Sequence, residues 1–137
     1  MLTVGELAKR SNVTAETVRY YTRMGLLHPK QRSLNGYKLF DTSDMKRLRF
    51  IRQAKLLGFS LAEIRQIIQH STKGESPCPL VRSFIQQKIE TNRKQLDEMS
   101  ALQHRMESAV AQWESMQDGV PDGDSVCNLI ETFTQEP

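Results

Sequence analysis

The sequence predicts a mainly α chain in three parts: a basic head of short helices with a small strand pair, one long helix, and a short loop ending in a helical turn or two. Three observations carry this. Side chains suited to helix N-caps stand before amphipathic runs throughout the first half. An Asn-Gly pair, Asn35-Gly36, is flanked by residues of good strand propensity. Leu80 to Met116 holds neither proline nor glycine. The expected parts are residues 1–75, 76–116 and 117–137.

The first helix opens at Thr3, with Glu6 three residues on and Val4, Leu7 and Ala8 at helical spacing, which is a capping box. Asn12-Val13 interrupts the pattern, and Thr14 caps a second helix expected over Ala15 to Met24 and stopped by Gly25. Two short helices around a tight turn make a helix-turn-helix, in which the second helix enters the major groove of DNA and its first residues meet base edges. That helix offers Thr14, Glu16 and Thr17 near its start, then Arg19, Tyr20 and Arg23, while Val18 and one of its two tyrosines are expected in the core. An ordinary surface helix with two arginines is the plainer alternative.

Gln31 to Phe40 reads as a two-stranded hairpin turning at Asn35-Gly36, and its Arg32, Tyr37 and Lys38 suit phosphate contact. The Asp41 to Asp44 cluster caps a basic amphipathic helix with Met45, Leu48, Ile51 and Leu56 on one side; Lys55 lies near its end and Gly58 stops it. Ser60 and Glu63 form another capping box before Leu61, Ile64, Ile67 and Ile68. Ser71 to Pro79, with Gly74, Pro77 and Pro79, breaks the pattern.

In the long helix, Ile85, Ile89, Asn92, Leu96, Met99, Leu102, Met106, Val110, Trp113 and Met116 recur at steps of three and four. Thirty-seven helical residues span about 55 Å, so the stripe outruns the head and calls for a second copy of itself. An antiparallel coiled-coil homodimer is the expected state, with Asn92 fixing register. After it come a turn-rich acidic loop with Asp118, Asp122 and Asp124, and a short helical stretch over Val126 to Phe133.

Charge separates the head from the rest. The net charge is +3, yet residues 1–75 carry 14 Lys and Arg against 6 Asp and Glu, and residues 76–137 carry 5 against 10. A basic half beside an acidic one is the footprint of a nucleic-acid reader joined to something else. No run approaches the roughly 18 apolar residues of a membrane span, and Met1 to Arg10 lacks the apolar core of a secretory signal. The expectation is a soluble, cytoplasmic protein with no membrane partner. A catalytic role finds no support, because there is no glycine-rich phosphate loop and no paired histidine and nucleophile. A coiled-coil adaptor whose basic head binds an acidic protein is the alternative of another class.

The order of parts resembles the MerR family of bacterial transcriptional regulators. The matching stretches are VGELAKRSNVTAETVRYYTRMGLL, RSLNGYKLF, AKLLGFSLAEI and the long helix, nearly the whole chain. Thr22 departs from the pattern, since the family usually has an acid after the two tyrosines. The resemblance implies a winged helix-turn-helix homodimer on a palindromic promoter operator, which distorts the DNA for RNA polymerase when an effector binds. It implies DNA contacts at Arg19, Tyr20, Arg23, Arg32, Tyr37 and Lys55.

The short C-terminal part resembles the metal-responsive branch. There, a cysteine at the start of one protomer's long helix joins loop cysteines of the other. Cys78 and Cys127 match two such positions, and the earlier loop cysteine, expected near 118–120, is missing. A zinc-like or cadmium-like ion held by Cys78 and Cys127, with Asp118, Asp122 or Asp124 as a further ligand, is the implied effector site. Thiol sensing of oxidants or electrophiles, and a purely structural role for both cysteines, stay open. His70 is a further conceivable ligand; His28 and His104 are weaker ones.

Overall fold

Each short helix begins where a side chain accepts the amide hydrogens that the first turn leaves unpaired. Thr3 and Glu6 exchange bonds at 3.2 and 3.1 Å to open α1 (Val4–Arg10), and Thr14 accepts from the Thr17 amide at 3.1 Å to open α2 (Ala15–Arg23). Asp41 accepts from the Ser43 amide at 3.0 Å at the start of α3 (Thr42–Leu56), and Ser60 and Glu63 form the capping box of α4 (Leu61–Thr72). The expected caps are all present. The second helix ends at Arg23, one residue short of the expectation, because Met24 takes the C-cap position before Gly25.

The computed structural model describes residues 1–135; Glu136 and Pro137, the end of the expected 117–137 segment, lie outside the described residues. The remaining elements are β1 (Gln31–Arg32), β2 (Lys38–Leu39), α5 (Cys78–Trp113) and α6 (Asn128–Glu131). The chain divides into two compact units, one ending at Leu80 and the next beginning at Val81.

In the first unit, α1 and α2 form the expected helix-turn-helix. Leu7, Val18, Leu26, Leu27, Phe40, Leu48, Ile51 and Ile64 are fully buried, so each of the four helices α1 to α4 contributes to one core. Tyr21 is the buried tyrosine of α2, and burial raises its phenol pKa; Tyr20 faces outward. Thr22 turns its hydroxyl back onto the Val18 carbonyl at 2.7 Å, so where the family usually carries an acid this helix holds a backbone bond.

The strands pair antiparallel, Gln31 with Leu39 and Arg32 with Lys38. Their turn is not the two-residue kind, which needs positive φ at both central residues. Ser33 accepts from the Gly36 amide at 2.9 Å, Ser33 donates to the Tyr37 carbonyl at 2.8 Å, and only Gly36 has positive φ, +80°. This is a three-residue loop closed by a left-handed glycine. The sequence reading missed a third strand-like segment: Leu2 and Phe40 exchange backbone bonds at 2.7 Å each, tying the chain start to the hairpin.

Asp44 is the only buried charged residue among those described, 3% exposed. Its carboxylate accepts from the His28 amide at 3.2 Å, the Asp41 amide at 3.2 Å and the Lys30 ammonium at 3.3 Å. Two arginines make comparable ties. Arg52 of α3 donates to the Ser11 carbonyl at 2.7 Å, at the C-cap of α1, and Arg65 of α4 donates to the Met24 carbonyl, at the C-cap of α2.

The long helix starts two residues earlier than expected, at Cys78, because Pro79 in the first turn has no amide the helix would need. It ends at Trp113 instead of Met116. Leu96 is 68% exposed and Met99 64%, and Ile89, Met106 and Val110 are likewise open in the single chain. Trp113, expected in this seam, donates its indole N–H to the Leu129 carbonyl at 2.8 Å and so holds the C-terminal segment of its own unit. Ile130 and Phe133 join Leu102, Met106, Ala109 and Trp113 around a shallow apolar cavity of about 270 Å³. The final helix is a single turn, shorter than the expected Val126 to Phe133.

Asp44→Ala strips a buried carboxylate from two amides and an ammonium. It should lower the unfolding free energy by about 3 kcal/mol, read as a reduced urea midpoint at unchanged slope.

Candidate nucleic-acid interface and effector region

The groove between the second helix and the hairpin follows directly from these caps and turns. Arg19 projects from the middle of α2, while Arg32 and Lys38 face each other as a registered pair across the two strands. With Thr3, Val4, Gly5, Gly36 and Tyr37 they line a cavity of about 580 Å³. Three cations, one aromatic and the start of α1 thus meet at one concave surface. Helix N-termini carry free amides and a positive dipole end, so this start and the three cations favour an anion, to which the Tyr37 hydroxyl can donate. Arg32 donates to the Gly36 carbonyl at 3.1 Å, which orders the guanidinium within the hairpin.

The groove gathers Arg19, Arg32, Tyr37 and Lys38 from the expected set. Thr3, Val4 and Gly5 were missed: the capping box marked them as a helix start and carried no sign of what that start faces. The remaining expected residues lie along α2 and α3. Glu16 stands 3.8 Å from Arg19 and 3.8 Å from Arg23, an exposed acid that aligns two arginines on one helical face. The Arg23 guanidinium lies 5.9 Å from the centre of the Tyr20 ring, a cation–π distance. Thr14 and Thr17 share a hydroxyl–hydroxyl bond of 2.9 Å at the start of the helix. Lys55 occupies the last turn of α3 and does not line the groove.

The candidate metal ligands are placed differently. Cys78 begins α5 as an exposed free thiol, and Cys127 is a partly exposed free thiol at the N-cap position of α6. Among the described residues of one chain, no three His, Cys, Asp or Glu side chains gather closely enough to hold a metal ion, so Asp118, Asp122 and Asp124 are not assembled with Cys127 into such a group. The acid that does organise this loop is Glu131, which sequence reasoning did not single out. It accepts from the Val126 amide at 3.2 Å, the Ser125 hydroxyl at 2.9 Å and the Cys127 amide at 3.0 Å. These donors, the Val126 amide foremost, hold its pKa below the ordinary 4.5. His70 bonds the Gln66 carbonyl through Nδ1 at 3.1 Å and lies 3.9 Å from Glu75. His28 gives its amide to Asp44, and His104 is exposed on α5.

Among the described residues no helix is long and apolar enough to cross a membrane. A winged helix-turn-helix with a cationic groove between reading helix and wing defines the class, a DNA-binding transcriptional regulator. Two family models match, one described as MerR HTH family regulatory protein over residues 2–71 and one as MerR, DNA binding over residues 45–109. The chain belongs to the MerR family.

It is 32% identical to the HTH-type transcriptional regulator ZntR of Escherichia coli K12 over 108 residues, 78% of this chain and 77% of the relative. It is 27% identical to the mercuric resistance operon regulatory protein of Bacillus cereus over 135 residues, 97% of each. Among solved structures it is similar to the transcription regulator PbrR691 of Ralstonia metallidurans CH34 in complex with lead(II). That likeness has a TM-score of 0.78 at 26% identity and covers 98% of this chain and 100% of the other.

Because the folded-state pKa of Glu131 is depressed, its contribution to the loop is present above the ordinary 4.5 and fades as pH falls through the lower folded value. The amide resonances of Val126 and Cys127 should titrate together with a midpoint below 4.5. A midpoint at or above it contradicts the three-donor clasp.

Proposed function

We propose that this chain works as a homodimer on a palindromic promoter operator, with α2 in the major groove and the hairpin as a phosphate-contacting wing. The observation that carries this is the groove shared by Arg19, Arg32, Tyr37 and Lys38. Cations on two separate elements converge there on one concave surface beside the reading helix, the arrangement that positions a protein on a duplex backbone. Tyr20 and Arg23 add contacts along the outward face of α2, and Lys55 adds one from α3. Glu16, Thr14 and Thr17 stand where base edges come within reach. The open apolar stripe from Ile85 through Val110 is the face that a second copy covers, with α5 antiparallel to its counterpart. Distortion of the bound promoter, switched by the effector, then sets how RNA polymerase engages it.

Arg19→Ala should remove specific operator binding while leaving the oligomeric state unchanged, as measured by fluorescence anisotropy and sedimentation. Undiminished operator affinity in that variant sinks the placement of α2 as the reader.

The effector in this reading is a soft or borderline metal ion, zinc-like or cadmium-like, held by Cys78 of one protomer and Cys127 of the other. The support is the donor chemistry: two free thiols at least partly exposed, on a chain whose relatives include a mercuric resistance operon regulator. Since the described residues of one chain gather no group of three ligands, the reading draws the further ligands from the second protomer. Asp118, Asp122 and Asp124 are the carboxylates nearest in sequence to complete such a set. Cys78→Ser and Cys127→Ser should each abolish metal-dependent transcription and retain operator binding. Co-expressing the two variants should restore part of the response, because a mixed dimer keeps one intact Cys78 and Cys127 pair. A full response in either single variant rules out the two-thiol site.

A further inference from the structure

A second basic concavity lies at the other end of α1. Arg10, Ser11 and Asn12 from the end of that helix, with Met45, Arg49 and Arg52 from α3, line a cavity of about 340 Å³. Arg52 spends one donor on the Ser11 carbonyl, and a guanidinium has five N–H donors, so the rest are open to a ligand. Arg10 and Arg49 are exposed and make no hydrogen bond or ion pair among the described residues. The one acid on α1, Glu6, has its carboxylate on the Thr3 amide at 3.1 Å and feels the charge of Arg10 one turn on without forming an ion pair with it. No acidic side chain lines the cavity.

The place of this cavity in the fold says which anion it meets. Asn12 lies two residues before Thr14, the cap of α2, so the cavity adjoins the end of the reading helix that enters the major groove. The wing groove is lined by Thr3, Val4 and Gly5, at the start of the same α1. Seven helical residues separate the two, about 10 Å at 1.5 Å each. The major groove of B-DNA is about 12 Å wide. One basic concavity therefore sits at each end of a helix whose length matches the distance between the two phosphate edges of that groove.

We propose that the cavity lined by Arg10, Arg49 and Arg52 is a second phosphate clamp, gripping the duplex edge opposite the one held by the wing. This rests on the reading of the chain as an operator-binding regulator. The clamp contributes affinity and register and carries no base specificity, because phosphates are the same at every step. Arg52 serves it while also closing α1, so Arg10 and Arg49 are the residues to change.

The test is the salt dependence of binding by the full chain, wild type and Arg10→Ala/Arg49→Ala, to an operator duplex and to an unrelated duplex. Each lost phosphate contact removes about 0.9 from the slope of log affinity against log salt. With two arginines lost from each of the two protomers, the double variant should lose about 3.6 from that slope, weaken on both duplexes by the same factor and keep the wild-type ratio between them. The Arg10→Lys/Arg49→Lys variant should restore most of the slope, and a matching thermal unfolding midpoint guards against a folding defect. An unchanged slope in the alanine variant, with wild-type operator binding intact, overturns the clamp alone. An unchanged slope together with loss of polymerase-dependent transcription also overturns it and assigns the cavity to an acidic protein surface. Absence of operator binding by the wild-type chain overturns the regulator reading and the clamp with it.

Discussion

The reading surface depends on two arginine-to-carbonyl bonds. A helix ends in carbonyl groups with no partner and the negative end of its dipole, and a cation placed there answers both. Here the cations come from the other helix pair, Arg52 of α3 to the end of α1 and Arg65 of α4 to the end of α2. Each helix of the DNA-reading pair is thereby fixed at its C-terminal end to a helix of the supporting pair. Burial of Leu7, Val18, Leu48, Ile51 and Ile64 presses the two pairs together, but apolar packing is non-directional. The arginines supply the direction.

The same fixing reaches the wing by another route. Asp44 joins the start of α3 to the His28–Lys30 segment, and Leu2 joins the chain start to Phe40 at the end of the hairpin. Arg32 and Lys38 therefore reach the groove beside Arg19 from a hairpin that is held at its base. A site assembled from two elements needs its supports on both, and here they are a buried carboxylate and a pair of backbone bonds.

Local chemistry was legible in the sequence and long-range partnership was not. Thr3, Thr14, Asp41 and Ser60 announced their helices because a cap acts within three residues, and Gly58 announced a stop because its φ of +91° suits a residue without Cβ. Arg52 read only as one of the basic residues of its helix and Arg65 was not singled out, since their acceptors lie 41 residues away. Asp44 read as part of a cap cluster, with nothing in the sequence to mark it as the buried member. Trp113 fitted the apolar period of the long helix equally well as a dimer residue and as the anchor of Leu129, and periodicity cannot tell one apolar neighbour from another. Glu131 was passed over because the loop offered several acids, and only the path of the backbone decides which one meets the amides of Val126 and Cys127.

Arg32 holds the hairpin turn through the Gly36 carbonyl and also lines the groove. Stiffness of the wing and attraction for a phosphate therefore reside in a single guanidinium. When an anion arrives, the guanidinium can keep its bond to Gly36 with one nitrogen and offer the others, so contact need not cost the turn its bond. The converse also holds: a wing loosened by any other means presents a less defined cation to the backbone. If the groove holds the operator as proposed, mechanical order in the hairpin and grip on the backbone share one guanidinium, and an influence on either is felt by the other.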